Sequence, residues 1–510
     1  MQRETLGHCL AALETGGLLH HIGQGVYRMH PAMSGYLAEW RPAPEAALRG
    51  FVDFMGRFAD QLGPMDLHEQ RGPFAIHGAS FYQALGQAEA LGMDGHLAAL
   101  TQSLAVIAQH RRDFAAARRL FEALTNRWEE RDDQRFLAGA YHQLGGIAQE
   151  QRDFADADAW YRKSLAISEQ QGNEHVAAGT YYQLGTIAEE QGDFAGAESW
   201  CRKSLAIFEQ QGNEHGAATT YHQHGRIAQA QRDFARAEVW YGKSLAICAQ
   251  RGNEHGAGRT YHQLGIIAQE QRDLASAEAW YRKSLAIKEQ QGDEHGAAST
   301  YHQLGIVAQA ARDFASAEVW YRKSLAIKER QGDEHGAAIT YHQLGRIAQA
   351  QRDFASAEAW YRKSLAIKEQ QGDAQGAAIS YHNLGAISEA QRDFAGAEAW
   401  YRKSLAISQQ QGNAHHVAIT YHQLGSIAEA QRDFASAGPW VLKSIGLFAE
   451  LNDPHNLGIT VVSFLRTLQA ADAPTQTRLR QAWQDAGLDR LASLEDLECQ
   501  FREKTGATAP

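Results

Sequence analysis

A tyrosine returns every forty residues, at 141, 181, 221, 261, 301, 341, 381 and 421, and the surrounding text returns with it. YHQLGIIAQEQRD at 261–273 reappears as YHQLGRIAQAQRD at 341–353. Self-similarity at such a period means that each unit buries its apolar face against its neighbours, so the chain must stack as a solenoid. The frame also runs backward, because TQSLAVIAQHRRDFAAARRLFEAL from Thr101 keeps Leu104, Ala108, Phe114, Ala117 and Phe121 in register. An array of nine units is expected over 101–460, with degenerate helical pairs over 43–100 and a C-terminal helical cap over 461–510.

Each unit reads as two helices. The first, EHGAGRTYHQLGIIAQEQ in one copy, follows an Asn or Asp that can cap it, such as Asn253, and the preceding Gly252 suits the end of the previous helix. The second, LASAEAWYRKSLAIKEQQ, follows a short Arg-Asp turn that makes the two helices antiparallel. Tyr261, Leu264, Gly265 and Ala268 share one face of the first helix, and Ala277, Tyr281, Ser284 and Leu285 one face of the second.

Tyr261, Leu264, Gly265, Leu274, Ala277, Tyr281 and Ser284 resemble the tetratricopeptide repeat pattern in order and spacing. The longer period and the missing inter-repeat proline are similar to the variant found in kinesin light chains and in many bacterial signalling proteins. The resemblance covers about seven-tenths of the chain and implies an all-α fold. It implies a right-handed α-α superhelical solenoid whose first helices line a concave groove, and the preferred hypothesis is that this groove captures a protein or an extended peptide.

Counting each unit so that its tyrosine is position 4, and turning 100° per residue, positions 4, 7, 8 and 11 form the packed side. Positions 2, 5, 9 and 12 fall opposite. Position 8 is Gly in all eight tyrosine-bearing units, whereas position 9 reads Gly146, Thr186, Arg226, Ile266, Ile306, Arg346, Ala386, Ser426. Position 2 reads Gly139, Gly179, Thr219, Arg259, Ser299, Ile339, Ile379, Ile419. Variation inside this one chain therefore concentrates on the face that packing leaves free. Drift on a solvated face would favour polar letters, yet five isoleucines stand there, and clustered apolar surface marks binding sites.

Position 5 adds a histidine row that includes His222, His262, His302, His342 and His382. Successive helices stand roughly 10 Å apart, too far for rings that must each lie ~2 Å from one metal ion, so no metal is expected. The row reads either as donors and acceptors for a bound backbone or as solvated, mutually bonded side chains. Trp160 and its seven equivalents to Trp440 read as packing between units rather than as a platform for bases.

Ahead of the array, LGHCLAALETGG reads as a helix, GLLHHI and GVYRMH as strands around a GQG turn, and PAMSGYLAEW as a helix. Over 1–42 this order resembles the later part of a winged-helix domain. LAALETGGLL, YRMHP and the helical array after them resemble the winged-helix region of STAND-class signalling ATPases. That resemblance implies a nucleotide-phosphate sensor at His30, although Pro31 stands where the family commonly has Asp. A phosphate-binding loop is expected upstream of such a region. Gly242-Lys243-Ser244 does not supply it, since Ala237 occupies the first glycine's place inside a repeat helix.

Composition narrows the partners further. A net charge of −11 gives no basic footprint for nucleic acid, and the helix before the strands lacks Lys and Arg. The four cysteines, Cys9, Cys201, Cys248 and Cys499, form no CxxC and fit a reducing cytoplasm. No stretch reaches the ~18 apolar residues of a membrane span. With no catalytic motif found, no catalytic residue or cofactor is expected. The reading is a binding solenoid, the sensor part of a STAND-type system with a separate ATPase module as a possible partner. A passive scaffold holding several partners is the second reading, and a nucleotide-dependent ATPase the third.

Overall fold

The computed structural model describes residues 11–16, 19–23, 26–29, 43–62, 67–130, 134 and 136–505. Two compact units emerge, Met1–Cys248 and Ala249–Pro510. In the first, β1 (Leu19–Gly23) and β2 (Val26–Met29) pair antiparallel with Leu19 opposite Met29, where the sequence places its two strands. The helix expected over PAMSGYLAEW and the candidate sensor His30 lie outside the described residues.

The rest of the first unit is helical: α1 (Glu45–Leu62), α2 (Leu67–Leu91), α3 (Asp94–His110), α4 (Phe114–Glu130), α5 (Leu137–Glu150), α6 (Phe154–Gln170), α7 (Glu174–Glu190), α8 (Phe194–Gln210), α9 (Glu214–Ala230) and α10 (Phe234–Arg251). In the second unit follow α11 (Glu254–Glu270), α12 (Leu274–Gln290), α13 (Glu294–Ala310), α14 (Phe314–Gln331), α15 (Glu334–Ala350), α16 (Phe354–Gln370), α17 (Ala374–Ala390), α18 (Phe394–Gln410), α19 (Ala414–Ala430), α20 (Phe434–Glu450) and α21 (Pro454–Ala470). Helices α22 (Ala473–Asp485) and α23 (Leu494–Thr505), joined by the 3-10 turn Leu488–Arg490, close it. Each unit is thus an all-α stack of helix pairs, apart from the hairpin. No helix among the described residues is long and apolar enough to cross a membrane.

The helix ends follow from local chemistry. Asn253 Oδ1 accepts the Gly256 amide at 2.9 Å and Asp273 Oδ1 the Ser276 amide at 3.1 Å, so each satisfies an amide that the first turn leaves unpaired. Gly252 takes φ +64 between pairs. Within pairs the left-handed position belongs instead to an arginine, Arg272 at φ +63 and Arg312 at φ +61, and among the described residues only Gly192 relieves that turn of its Cβ.

Close approach holds each pair together. A Cβ on Gly305 would lie 2.6 Å from Cε1 of the fully buried Tyr321, so glycine at position 8 is what admits the ring. Ser324 Oγ then donates to Ala298 O at 2.8 Å, and the same bond spans 26 residues at Ser284, Ser364 and Ser404. One pair binds the next through the position 4 tyrosine, whose hydroxyl bonds a glutamate of the preceding second helix, as in Tyr301 with Glu289 and Tyr341 with Glu329. On its other side the Tyr301 ring stacks on Trp320 at 5.7 Å, with Lys323 Nζ 4.9 Å above the indole. The tryptophan row is therefore packing at a half-buried edge, cation–π contacts included.

Helix α21 departs from the expected plan. The division drawn at residue 460 falls inside it, and its residues keep the register of a first helix: Ile459 at position 2, Thr460 at 3, Val462 at 5 and Arg466 at 9.

Candidate functional site

The turning of 100° per residue puts positions 2, 5, 9 and 12 on one side of each first helix, and burial grades across that side. Position 2 is the open edge. Arg259, Ser299, Ile339 and Ile379 are exposed, Ile339 by 39% and Ile379 by 38%, while Thr219 and Ile419 are half-buried. Ile459 and Val462, which sequence reasoning missed, are exposed by 46% and 37%. Tyrosine gives way to Val461 and the glycine to Leu465 there, so the repeat signature is lost while the face persists.

Position 9 is not free in the way the periodicity suggests. Thr186 is buried and donates to Tyr182 O at 3.1 Å. Ile266 and Ile306 are half-buried and lean on the cores around Tyr281 and Tyr321. Arg226 reaches back to Glu189 of the preceding first helix, Nη2 to Oε1 3.1 Å, and Gln223 binds the other carboxylate oxygen. Those residues are half-packed because the helices stack tightly enough to bring position 9 over the tyrosine of its own pair: a Cβ on Gly146 would meet the Tyr161 hydroxyl at 3.6 Å.

Glu189 is available to Arg226 for a traceable reason. In the six pairs that have a second-helix tyrosine, position 12 accepts from it, as Gln309 does from Tyr321 at 3.0 Å and Gln349 from Tyr361 at 2.9 Å. Here that tyrosine is Cys201, whose thiol burial pushes up to about 12, and position 12 is a glutamate. Burial also raises the Glu189 carboxyl, against the pull of Arg226. Arg346 has no such partner. It is exposed, meets Gln343 Oε1 at 3.2 Å, and among the described residues makes no ion pair. Replacing Arg226 by Ile, the letter at 266, is therefore expected to cost about 2 kcal/mol by stranding a desolvated carboxylate. The same change at Arg346 is expected to stay within about 0.5 kcal/mol, and urea unfolding of the two variants checks the contrast.

The histidine row turns inward by its Nδ1 atoms. His262 Nδ1 lies 3.3 Å from Thr300 Oγ1 of the next first helix, His302 3.4 Å from Thr340 Oγ1, and each ring tilts against the tyrosine of its own pair. His222 is buried outright. Burial holds His262, His302, His342 and His382 down at about 4, and Lys288, Lys328 and Lys368 press the first three in the same direction. These lysines are themselves lowered by burial; Lys288 Nζ donates to Thr300 Oγ1 at 2.8 Å and Lys328 Nζ to Thr340 Oγ1 at 3.0 Å. At neutral pH His262, His302, His342 and His382 are thus uncharged, and the row is partly engaged by its own neighbours, as in the second of the two readings the sequence left open.

Comparison with known proteins follows this geometry. The tetratricopeptide repeat family pattern matches residues 137–170, 176–250, 216–290, 256–330, 296–370 and 376–448. Among solved structures, the chain is similar to a Signal Transduction ATPase with Numerous Domains protein with a tetratricopeptide repeat sensor from Pyrococcus horikoshii. That match has 14% identity and a TM-score of 0.60 over 81% of this chain and 60% of the other. It is also similar to the apo form of RapI, with 11% identity and a TM-score of 0.50 over 65% of this chain and 98% of the other. Comparison with curated proteins returns no match. At these identities the structural likeness is one of fold, and the chain spans about three-fifths of the Pyrococcus protein.

Proposed function

Because the chain belongs to the tetratricopeptide repeat family, we propose that it is a non-catalytic binding solenoid whose first-helix faces capture a protein or an extended peptide. The observation that carries this reading is the contrast between position 8, glycine in all eight tyrosine-bearing units to admit a buried side chain, and position 2, which changes from repeat to repeat and ends in exposed isoleucines. Exposed aliphatic side chains clustered on one face stabilise nothing in the free protein and gain on contact.

The finer reading is a sensor that answers to a STAND-type ATPase module. Support comes from the likeness in fold to a STAND protein with a repeat sensor and from the β1–β2 hairpin ahead of the helices. In the scaffold reading, the second-helix edge would carry partners, on the row of Tyr–Trp stacks topped by Lys283, Lys323, Lys363 and Lys403.

Affinity capture with the full chain and with the variant Ile339→Asp/Ile379→Asp/Arg346→Glu separates these readings. Loss of the captured partners with helicity unchanged is expected. Retention of every partner by the variant would move binding off the first-helix face and favour the scaffold.

A further inference from the structure

We propose that recognition resides in one strip of the second unit, from Ile339 to Arg466, and that its occupant is an extended segment of aliphatic side chains bearing one carboxylate that lands on Arg346. This rests on the binding reading above and adds to it a place, a chemistry and a direction.

The place follows from comparing equivalent positions. Position 2 is Gly139, Gly179 and Thr219 in the first unit, small or polar throughout. In the second unit, after Arg259 and Ser299, it becomes Ile339, Ile379, Ile419 and Ile459 in four consecutive first helices, three of them exposed, with Val462 exposed beside the last. A Cβ on Gly179 would lie 3.9 Å from His142 Cε1 of the preceding repeat. By the same repeat geometry, Ile339 follows His302, Ile379 follows His342, Ile419 follows His382 and Ile459 follows His422. Burial lowers the basicity of all four rings, so the strip alternates isoleucine with uncharged imidazole and suits an apolar guest.

Charge supplies the chemistry and the direction. Three arginines stand at position 9 in the two units, and what faces each from the preceding repeat differs. Glu189 pairs with Arg226 at 3.1 Å, and Arg466 acts on Glu429, pulling its carboxyl down against burial. In the preceding repeat of Arg346, the place of Glu189 is taken by Gln309, a neutral residue already accepting from Tyr321. Apart from the bond from Nη1 to Gln343, the exposed Arg346 keeps its donors for an incoming carboxylate, which a guanidinium can take in two parallel bonds. Farther along, Glu389 and Glu429 would repel a second carboxylate. The guest's acid thus belongs at the Ile339–Arg346 end and its apolar side chains run toward Ile459.

Panning a display library of random 12-residue peptides on the full chain tests this. Enrichment of peptides with one Asp or Glu followed by aliphatic residues is expected. Arg346→Glu and Ile379→Asp should each weaken those peptides by about tenfold or more, and repanning on Arg346→Glu should select Lys or Arg in the acid's place. Gly139→Asp, at position 2 of the first unit with open space around its Cα, should leave binding unchanged. Peptides that bind Arg346→Glu and Ile379→Asp undiminished but lose affinity for Gly139→Asp would overturn the placement and leave the binding reading standing. No enrichment, or indifference to all three variants, would sink both. Self-association in sedimentation that Ile379→Asp abolishes would make a second copy the occupant and refute the peptide.

Discussion

Acidifying the protein from pH 7 to pH 4.5 is expected to remove several kcal/mol of stability and to lower its urea midpoint steeply. Six imidazoles, His142, His224, His262, His302, His342 and His382, are held at about 4 by burial, against 6.5 when exposed. Between those values the unfolded chain binds more protons than the folded one, so stability is fully present above pH 6.5 and lost as pH falls toward 4. A shift of that size caps each ring's share near 3 kcal/mol, and partial access to water brings the working figure to about 1 kcal/mol each. Glu189, Glu389 and Glu429, raised by burial, take up protons in the folded state and oppose the trend, three groups against these six and His416 and His422, which burial also lowers. The aspartate caps Asp273, Asp313 and Asp353, lowered by their serine partners, contribute throughout this range and lose that contribution only as pH falls below the ordinary aspartate value. Urea titrations at several pH values, read by circular dichroism, check the slope. A midpoint indifferent to pH between 7 and 4.5 would show the rings to be solvated.

Gly305→Ala is expected to cost about 2–3 kcal/mol, although the methyl group is small and alanine is the better helix former. The added carbon would stand 2.6 Å from a Tyr321 ring that is fully buried and whose hydroxyl is engaged by Gln309, so neither partner can move away cheaply. Two repeats show that the constraint belongs to the close approach of the helices as much as to the ring: the equivalent Gly185 and Gly425 face the smaller Cys201 and Val441, and their Cβ positions are crowded as well. The double variant Gly305→Ala/Tyr321→Leu should recover part of the loss, because the branched chain can rotate where the ring cannot. Thermal unfolding of the wild type, single and double variants measures this, and an unchanged midpoint in Gly305→Ala would contradict the close approach.

Much of this fold is legible in the letters because it is written so many times. Period, caps, the short turn and the packed side of each helix all follow from local spacing, and Asn253, Gly252, Leu264 and Tyr281 sit where spacing puts them. What spacing could not supply is the neighbour. Whether Arg226 is a free cation depends on the letter thirty-seven residues earlier, Glu189, and on the tyrosine that Cys201 displaced. The comparison of Glu189 with Gln309 was available in the sequence but has meaning only once position 12 is known to face position 9 of the next repeat. Burial of Thr186 and His222 is likewise a property of stacking, invisible to a wheel drawn for one helix. The left-handed Arg272 and Arg312 could not be anticipated, since arginine carries no preference for that region. Helix α21 escaped because the two marker letters, tyrosine and glycine, are the ones it lacks.

The side-chain hydrogen bonds that tie one repeat to the next are short in sequence: His262 to Thr300 and His302 to Thr340 each span 38 residues. Excise 293–332 on paper and Glu289 meets Tyr341 in place of Tyr301, while Lys288 meets Gly336 and Thr340 in place of Gly296 and Thr300. Every severed bond is offered the same letter again. Nothing in such a molecule has to close, as a barrel must, so its length is a dial: whole copies can be added or dropped, lengthening or shortening the reach of the protein, at no cost to the joints that remain.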